Sequence, residues 1–215
     1  MIQFALQHPR CGLFVPMGMG KTSASLAIID VLKNIFEEGP ALVIAPLAVA
    51  RNSWPSEVRK WEDFCHLKVS PILGTTKERI KALHTKADIY VINYDNLMWL
   101  DSFLTAKNYT WPFPVVIADE STRLKSFRTR QGSKRAKALA KFSNFFKRFI
   151  ALTGTPSPNG LNDLWGQLWF IDHGERLGKS FTAFHNRWFR PLQVGANAAA
   201  VQWVPHDFAQ SQIQD

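Results

Sequence analysis

Cysteine is scarce in this sequence: Cys11 and Cys65 are the only two in 215 residues. So few thiols, with no paired spacing, exclude a disulfide framework and a cysteine-held zinc site. The six histidines are scattered without the spacing that metal ligation requires. Long hydrophobic runs are also missing. ALVIAPLAVA (41–50) is interrupted by Pro46 and falls short of the roughly 18 residues a helix needs to cross a bilayer, so no membrane partner is expected. The opening MIQFALQHPR has no basic segment followed by a long apolar run, so no secretion signal is expected either. There is no internal repeat and no low-complexity tract. The expectation is a globular, cytoplasmic protein.

Acidic residues are the next shortage. Lys and Arg number 26 against 17 Asp and Glu, a net charge of +9, and such an excess points to a polyanionic partner. The imbalance is concentrated. From Ser121 to Arg148 there are ten basic residues (Arg123, Lys125, Arg128, Arg130, Lys134, Arg135, Lys137, Lys141, Lys147, Arg148) and no acid. A nucleic-acid surface and an ordinary solvated helix face both account for that stretch.

What the sequence does have is a succession of short apolar runs: GLFV (12–15), ALVIA (41–45), KVSPIL (68–73), DIYVI (88–92), PVVIAD (114–119) and RFIAL (148–152). Most lack apolar–polar alternation, as strands buried on both faces do. Helix-like stretches separate several of them: KTSASLAIIDVLKNIF (21–36), TKERIKALH (76–84) and RQGSKRAKALAKFSNFF (130–146). Repeated strand–helix–strand units predict an α/β fold, a mainly parallel sheet with helices on both faces. LNDLWGQLWFID (161–172) reads as a helix, after which the pattern changes: a helix over 178–190, a hairpin over 191–205 and the start of a helix from 206. This predicts a main unit over 1–172 and a short helical and hairpin extension over 173–215.

Three strand ends carry chemistry. GLFVPMGMGKTSASLAIID (12–30) contains Gly18-Met19-Gly20-Lys21-Thr22-Ser23 between a strand and a helix. A phosphate loop usually reads G-x-x-x-x-G-K-S/T, and here Val15 stands where the leading glycine belongs. In such a loop, backbone N–H groups and the helix N-terminus face the phosphates, the lysine reaches them, and the hydroxyl holds Mg²⁺. VVIADE (115–120) ends a buried strand in Asp119-Glu120. One carboxylate suits a metal shell and the next can orient a water. A third strand ends in Thr153-Gly154-Thr155-Pro156, small hydroxyl residues suited to sensing a γ-phosphate and equally to making a turn.

With these motifs in order, the chain resembles the first RecA-like lobe of superfamily-two helicase-like ATPases, most closely the Swi/Snf-related branch. VPMGMGKT is similar to that branch's motif I, usually D-E-M-G-L-G-K-T, which also lacks the leading glycine; Val15 and Pro16 stand in place of its acidic pair. ALVIAPLAVARNSWPSEVRKW (41–61) looks like motif Ia with its following Trp54 and Glu57. ADIYVINYDNL (87–97) resembles the segment that usually ends in T-Y, VVIADESTRLKS (115–126) resembles motif II, and LTGTPSPNGLNDLW (152–165) resembles motif III.

The resemblance implies ATP and Mg²⁺ as cofactors. It places phosphate binding on Gly18, Met19, Gly20, Lys21, Thr22 and Ser23, and the metal on Thr22 and Asp119. Lys21, Asp119 and Glu120 become the catalytic set, Thr153, Gly154 and Thr155 the coupling set, and Pro46, Leu47, Ala48 and Arg51 the nucleic-acid contacts. The implied partner is DNA, or RNA, held without regard to sequence. The family's adenine-reading glutamine would fall ahead of Met1, and Gln3 and Gln7 stand too close to motif I. Motifs IV to VI, with their arginine finger, belong to a second lobe beyond these residues; a split or remnant gene, or a second lobe on another chain, would account for that. Hydrolysis by this chain alone is therefore left open. It is the ATP-binding lobe of a translocase, one half of a split one, or a silent remnant that only binds nucleic acid. A small P-loop kinase or GTPase is disfavoured by the T-G-T-P element and by the lack of a guanine-reading N-K-x-D.

Overall fold

The structure is a computed structural model that describes residues 1–128, 132–193 and 201–214. Six strands, β1 (Arg10–Phe14), β2 (Ala41–Ala45), β3 (Val69–Ile72), β4 (Ile89–Asn93), β5 (Val115–Asp119) and β6 (Arg148–Thr153), form one sheet in the order β1-β6-β5-β2-β4-β3. Every pairing in it is parallel. All strands therefore end at the same edge of the sheet. The register aligns Phe14 with Thr153 and Asp119 with Leu152.

The sheet is buried on both faces. Leu42, Ile44, Tyr90, Ile92, Val116, Ala118, Phe149 and Ala151 point into one apolar cluster. Their chain neighbours Val43, Val91, Ile117, Ile150 and Leu152 point into the other. This is the two-residue period of a strand with apolar partners on each side, and it explains the lack of alternation in the sequence. The second cluster is roofed by α1 (Ile2–Gln7), α2 (Lys21–Asn34) and α3 (Trp54–Lys60), through Ala5, Leu26, Ile28, Ile29, Leu32, Trp54 and Val58. The first lies under α5 (Leu97–Lys107), α6 (Lys134–Ala140) and α7 (Asn162–Asp172), through Leu97, Leu100, Leu104, Ala136, Leu139, Trp165 and Phe170. Ala82 and Leu83 of α4 (Thr76–His84) pack at its margin. Beyond α7 come α8 (Phe181–Trp188), an antiparallel pair β7 (Phe189–Gln193) and β8 (Val201–Pro205), and α9 (Ala209–Gln214). Phe184, Trp188, Phe189 and Ala209 join the first cluster. Among the described residues no helix is long and apolar enough to cross a membrane.

The helix expected over 21–36 ends at Asn34, and two others fall further short of the sequence pattern. In place of one helix over 130–146, α6 stops at Ala140 and a 3-10 turn covers Ser143–Phe145; residues 129–131 lie outside the described ones. The helix ends where Phe142 N bonds Leu139 O at 3.1 Å and Ser143 Oγ donates to Ala140 O at 2.8 Å. The Arg10 guanidinium then holds the turn, donating to Ser143 O at 2.6 Å and Phe146 O at 3.0 Å. Those carbonyls turn toward a side chain from β1, and Trp111 stacks on Phe142 with ring centres 4.7 Å apart. The helix expected over 178–190 occupies only Phe181–Trp188, with Ser180 Oγ accepting from Ala183 N at its start. Phe189 then leaves it to pair with Pro205, so the expected hairpin exists but begins earlier; residues 194–200, which fell within it, lie outside the described ones.

At the opposite edge of the sheet, Arg148 is an anchor. Its Nε donates to Glu38 Oε2 at 2.6 Å and its Nη1 to Leu6 O at 3.1 Å, and its side chain is 8% exposed. Arg148→Ala leaves a half-buried carboxylate and a carbonyl without a partner, and is expected to destabilise the fold by about 2–4 kcal/mol. Urea denaturation of the two proteins, with unchanged slope, checks this.

Candidate nucleotide and nucleic-acid site

The loop after β1 begins as strand. Val15 N donates to Thr153 O at 3.0 Å, continuing the pairing with β6 by one residue. Val15 is not among the residues with positive φ, so no glycine is needed there. The glycines that matter are Gly18 (φ 80°) and Gly20 (φ 72°), in left-handed conformations that a side chain rarely adopts. A Cβ at Gly18 would meet nothing within 4 Å, so its φ, rather than crowding, calls for glycine. Gly20 caps α2 without a side-chain hydrogen bond, leaving first-turn amides of a 14-residue helix facing the loop. Lys21 Nζ donates to Val15 O at 2.8 Å and Pro16 O at 3.0 Å, so the ammonium sits across the inside of the loop. Thr22 and Ser23 are half-buried in the first turn, Ser23 Oγ donates to Gly20 O at 3.0 Å, and Met17 and Met19 are exposed.

Two strands away, about 10 Å at the usual strand spacing, β5 ends in Asp119. Its carboxylate is buried and accepts from Trp54 Nε1 at 3.0 Å. Burial pushes the Asp119 carboxyl above the ordinary range, opposed by the indole, by a backbone bond from Glu120 and by the charge of Lys21. Tyr94 Oη, wholly buried, donates to Asp119 O at 2.8 Å and fixes the strand end from below. Burial and the neighbouring Asp119 raise the Tyr94 hydroxyl well above the usual phenol value, so it remains a donor. Glu120 then turns the chain with φ 56° and ψ 56°, a strained position for a side-chain-bearing residue, worth roughly 1–3 kcal/mol.

The strain is held by the helix after β6. Ser121 Oγ, fully buried, donates to Gln167 Oε1 at 2.9 Å; Gln167 Nε2 donates to Pro156 O at 2.6 Å and Asp163 O at 2.9 Å. One side chain of α7 therefore joins the turn after Asp119-Glu120 to the loop after Thr153-Gly154-Thr155. Lys125 Nζ pairs with Asp163 Oδ2 at 3.0 Å, adding a second tie. Gly166 permits the close approach, because a Cβ there would lie 2.6 Å from Leu124 O. Thr153 is fully buried and its Oγ1 accepts from Thr155 N at 3.1 Å, while Thr155 is exposed. Gly154 fits under the phosphate-type loop: a Cβ would come within 3.3 Å of Met17 N.

After β2, Pro46 is half-buried and Leu47, Ala48 and Arg51 are exposed. They lead through a π-helical turn, Val49–Ser53, directly into α3. A cavity of about 530 Å³ joins Pro46 to Glu120, Arg123, Lys125 and Arg135, so the start of the expected nucleic-acid loop and the second carboxylate line one basic groove, while Leu47, Ala48 and Arg51 are not among its lining residues. An aromatic cavity of about 400 Å³ bounded by Tyr90, Tyr109 and Phe113 lies at the opposite edge, where the strands begin.

The basic stretch from Ser121 to Arg148 does not form one face. Arg148 is buried against Glu38, Lys125 pairs with Asp163, Arg135 with Asp95 and Lys141 with Asp101. The Arg128 guanidinium lies 3.3 Å from the centre of the Phe181 ring; Arg130 lies outside the described residues. Lys147 is exposed immediately before β6, at the edge away from the loop.

Comparison with known proteins follows the same outline. A family model described as the SNF2-related domain matches residues 3–209. Protein p41 of Acyrthosiphon pisum secondary endosymbiont phage 1 is 48% identical over 222 residues, covering 99% of this chain and 46% of p41. The ATP-dependent helicase FUN30 of Saccharomyces cerevisiae is 33% identical over 170 residues, 75% of this chain and 14% of its own. The CHD3-type chromatin-remodeling factor CHR7 of Arabidopsis thaliana is 33% identical over 168 residues, 73% and 13%. The solved Sulfolobus solfataricus SWI2/SNF2 ATPase core in complex with dsDNA is similar with a TM-score of 0.66 and 29% identity, over 87% of this chain and 36% of that one. The chain spans less than half the length of each of these proteins.

Because burial disfavours the ionised Asp119 carboxylate, the folded protein bears a cost at neutral pH that a neutral amide would relieve. Asp119→Asn is expected to raise the melting temperature of the nucleotide-free protein, by about 2–4 °C for each kcal/mol recovered. Calorimetry at neutral pH checks the sign; a lower melting temperature would contradict the burial argument.

Proposed function

The chain belongs to the SNF2-related domain family, and from that premise we propose that it is the ATP-binding lobe of a DNA-dependent ATPase of the translocase type. The observation that carries this reading is the convergence, at one sheet edge, of the Lys21 loop, the buried Asp119 carboxylate and the Thr153 turn. The donor set fits a nucleotide with Mg²⁺. Uncapped amides at Gly20 and α2 suit phosphate oxygens, and a hydroxyl at Thr22 and a carboxylate at Asp119 are hard oxygen ligands.

In this reading Gly18, Met19, Gly20 and Ser23 wrap the phosphates, and Lys21 exchanges its two carbonyl contacts for phosphate oxygens. Thr22 and Asp119 hold the metal. When bound, Mg²⁺ neutralises charge on the terminal phosphates. Glu120, turned into the groove by its left-handed backbone, orients the attacking water. Thr153, Gly154 and Thr155 sense the terminal phosphate, and Gln167 carries that state to Ser121 across buried hydrogen bonds. Pro46, Leu47, Ala48 and Arg51 meet the DNA backbone, and such contacts read phosphate rather than base. The Sulfolobus core was captured with double-stranded DNA, which makes duplex the first form to test, with RNA as the comparison. A second lobe, on a partner chain or elsewhere, would complete turnover. The free thiols Cys11 and Cys65 suit a reducing compartment, so a cytoplasmic location belongs to the same reading, as does the division into a main lobe (1–172) and an extension (173–215).

Two outcomes test it. A labelled ATP analogue should bind with Mg²⁺-dependent affinity, and Lys21→Ala should weaken that binding at least ~10-fold, the loss of one charged hydrogen-bonding partner; equal binding by the variant would refute the loop assignment. Duplex binding followed by fluorescence anisotropy should weaken with salt, and Arg51→Ala and Arg123→Ala should each lower the log–log slope by about 0.9. Lys147→Ala, at the far edge, should leave the slope unchanged.

A further inference from the structure

Trp54 stands between two parts of the proposed site that the reading above treats separately. Its side chain is wholly buried, and its indole N–H, which a buried tryptophan must satisfy, goes to Asp119 Oδ2 at 3.0 Å. Most of the ring's surroundings are aliphatic, in the cluster under α2 and α3. The single polar atom of the side chain thus goes to the carboxylate at the end of β5.

The backbone of Trp54 belongs to the other part. It is the first residue of α3 and follows without a break on the π-helical turn Val49–Ser53. Ala50, fully buried, donates its N–H to Pro46 O at 2.8 Å, and the N–H of Trp54 returns to Val49 O. Pro46 to Trp54 is therefore one hydrogen-bonded unit, with Leu47, Ala48 and Arg51 on its outer side and the indole on its inner side. A π turn is an unusual, locally widened piece of helix. Displacing it would carry the indole along. Because a buried donor finds no water to replace its partner, the carboxylate must follow or lose its bond.

We propose that Trp54 is a positioning residue that couples the exposed loop 46–51 to the Asp119 carboxylate, so that duplex DNA on the loop changes the affinity for Mg²⁺-nucleotide. The inference rests on the function proposed above and names the side chain through which its two ligands communicate. Coupling of this kind is reciprocal: the factor by which duplex changes nucleotide affinity equals the factor by which nucleotide changes duplex affinity.

The test uses the full chain and its Trp54→Phe variant, which keeps an aromatic ring at the buried position and removes the N–H donor together with part of the indole. A fluorescent, non-hydrolysable ATP analogue is titrated with and without Mg²⁺, and with and without a saturating short duplex. In the wild type, duplex should shift the Mg²⁺-nucleotide affinity several-fold, roughly 5- to 100-fold by the usual range of such couplings. In Trp54→Phe that factor should fall to about one, and the Mg²⁺ needed for half-maximal nucleotide binding should rise ~10-fold, the scale of one hydrogen bond to a charged group. Affinity for Mg²⁺-free nucleotide and for duplex alone should change little, which a merely structural loss would not allow. If Trp54→Phe keeps the wild-type factor, or if the wild type binds both ligands without coupling, the proposal is overturned. A wild type that binds neither ligand refutes the functional reading itself, and the coupling with it. Should the variant not fold, indole N–H spectra of the wild type decide: the Trp54 signal must move when duplex is added to the nucleotide complex, and a stationary signal overturns the proposal.

Discussion

Burial of one parallel sheet on both faces is the constraint from which the rest follows. With Leu42 and Ile44 facing one cluster and Val43 the other, and β4, β5 and β6 filled in the same way, the middle of the sheet has no place for a polar side chain. Parallel strands then bring every chemically useful residue out at a single edge. The register sets Phe14 beside Thr153, and Asp119 beside Leu152. Three distant stretches of sequence meet there because there is nowhere else for their polar ends to go.

That edge is held under tension. Burial disfavours the ionised form of Asp119, and Glu120 occupies a left-handed backbone that glycine would accept more readily. Both conditions are maintained by buried donors: Trp54 on the carboxylate, Tyr94 on the carbonyl of the same residue, and Ser121 on Gln167. Stability is given up at Asp119-Glu120 and recovered elsewhere, for example where Arg148 fastens α1 and Glu38 to the far edge. Such an arrangement is expected where a carboxylate must be preorganised.

The sequence was informative where the physics is local. The inner strands β2, β4, β5 and β6 were legible as apolar runs, because burial on both faces leaves its mark within a few residues. The edge strands β1 and β3 were legible only in part, since their burial alternates. The helix after the glycine turn was legible too, although it was expected to reach Phe36 and ends at Asn34. The SNF2-type motifs were legible in order for the same reason: each is a strand end. The early end of α6 was not legible, since the turn that follows it is held by Arg10, more than 130 residues earlier. Nor was the fate of the basic stretch, whose Lys125, Arg135, Lys141 and Arg148 find carboxylates contributed by α7, α5 and the segments before β2 and α5. Trp54 and Tyr94 fell inside segments the motifs had marked, yet nothing in their spacing could say that both would reach Asp119. Gln167 lay in a helix whose apolar pattern gave no sign of a buried polar bridge.

The central claim is that Mg²⁺-nucleotide binds at the edge where the strands end. Hydrogen exchange with and without Mg²⁺ and an ATP analogue tests it most directly, since it reports every segment at once. The account predicts slower exchange confined to residues 16–24, 119–122 and 153–156, the three turns that the register brings together. Protection instead around Tyr90, Tyr109 and Phe113, which line the aromatic cavity at the opposite edge, would contradict it.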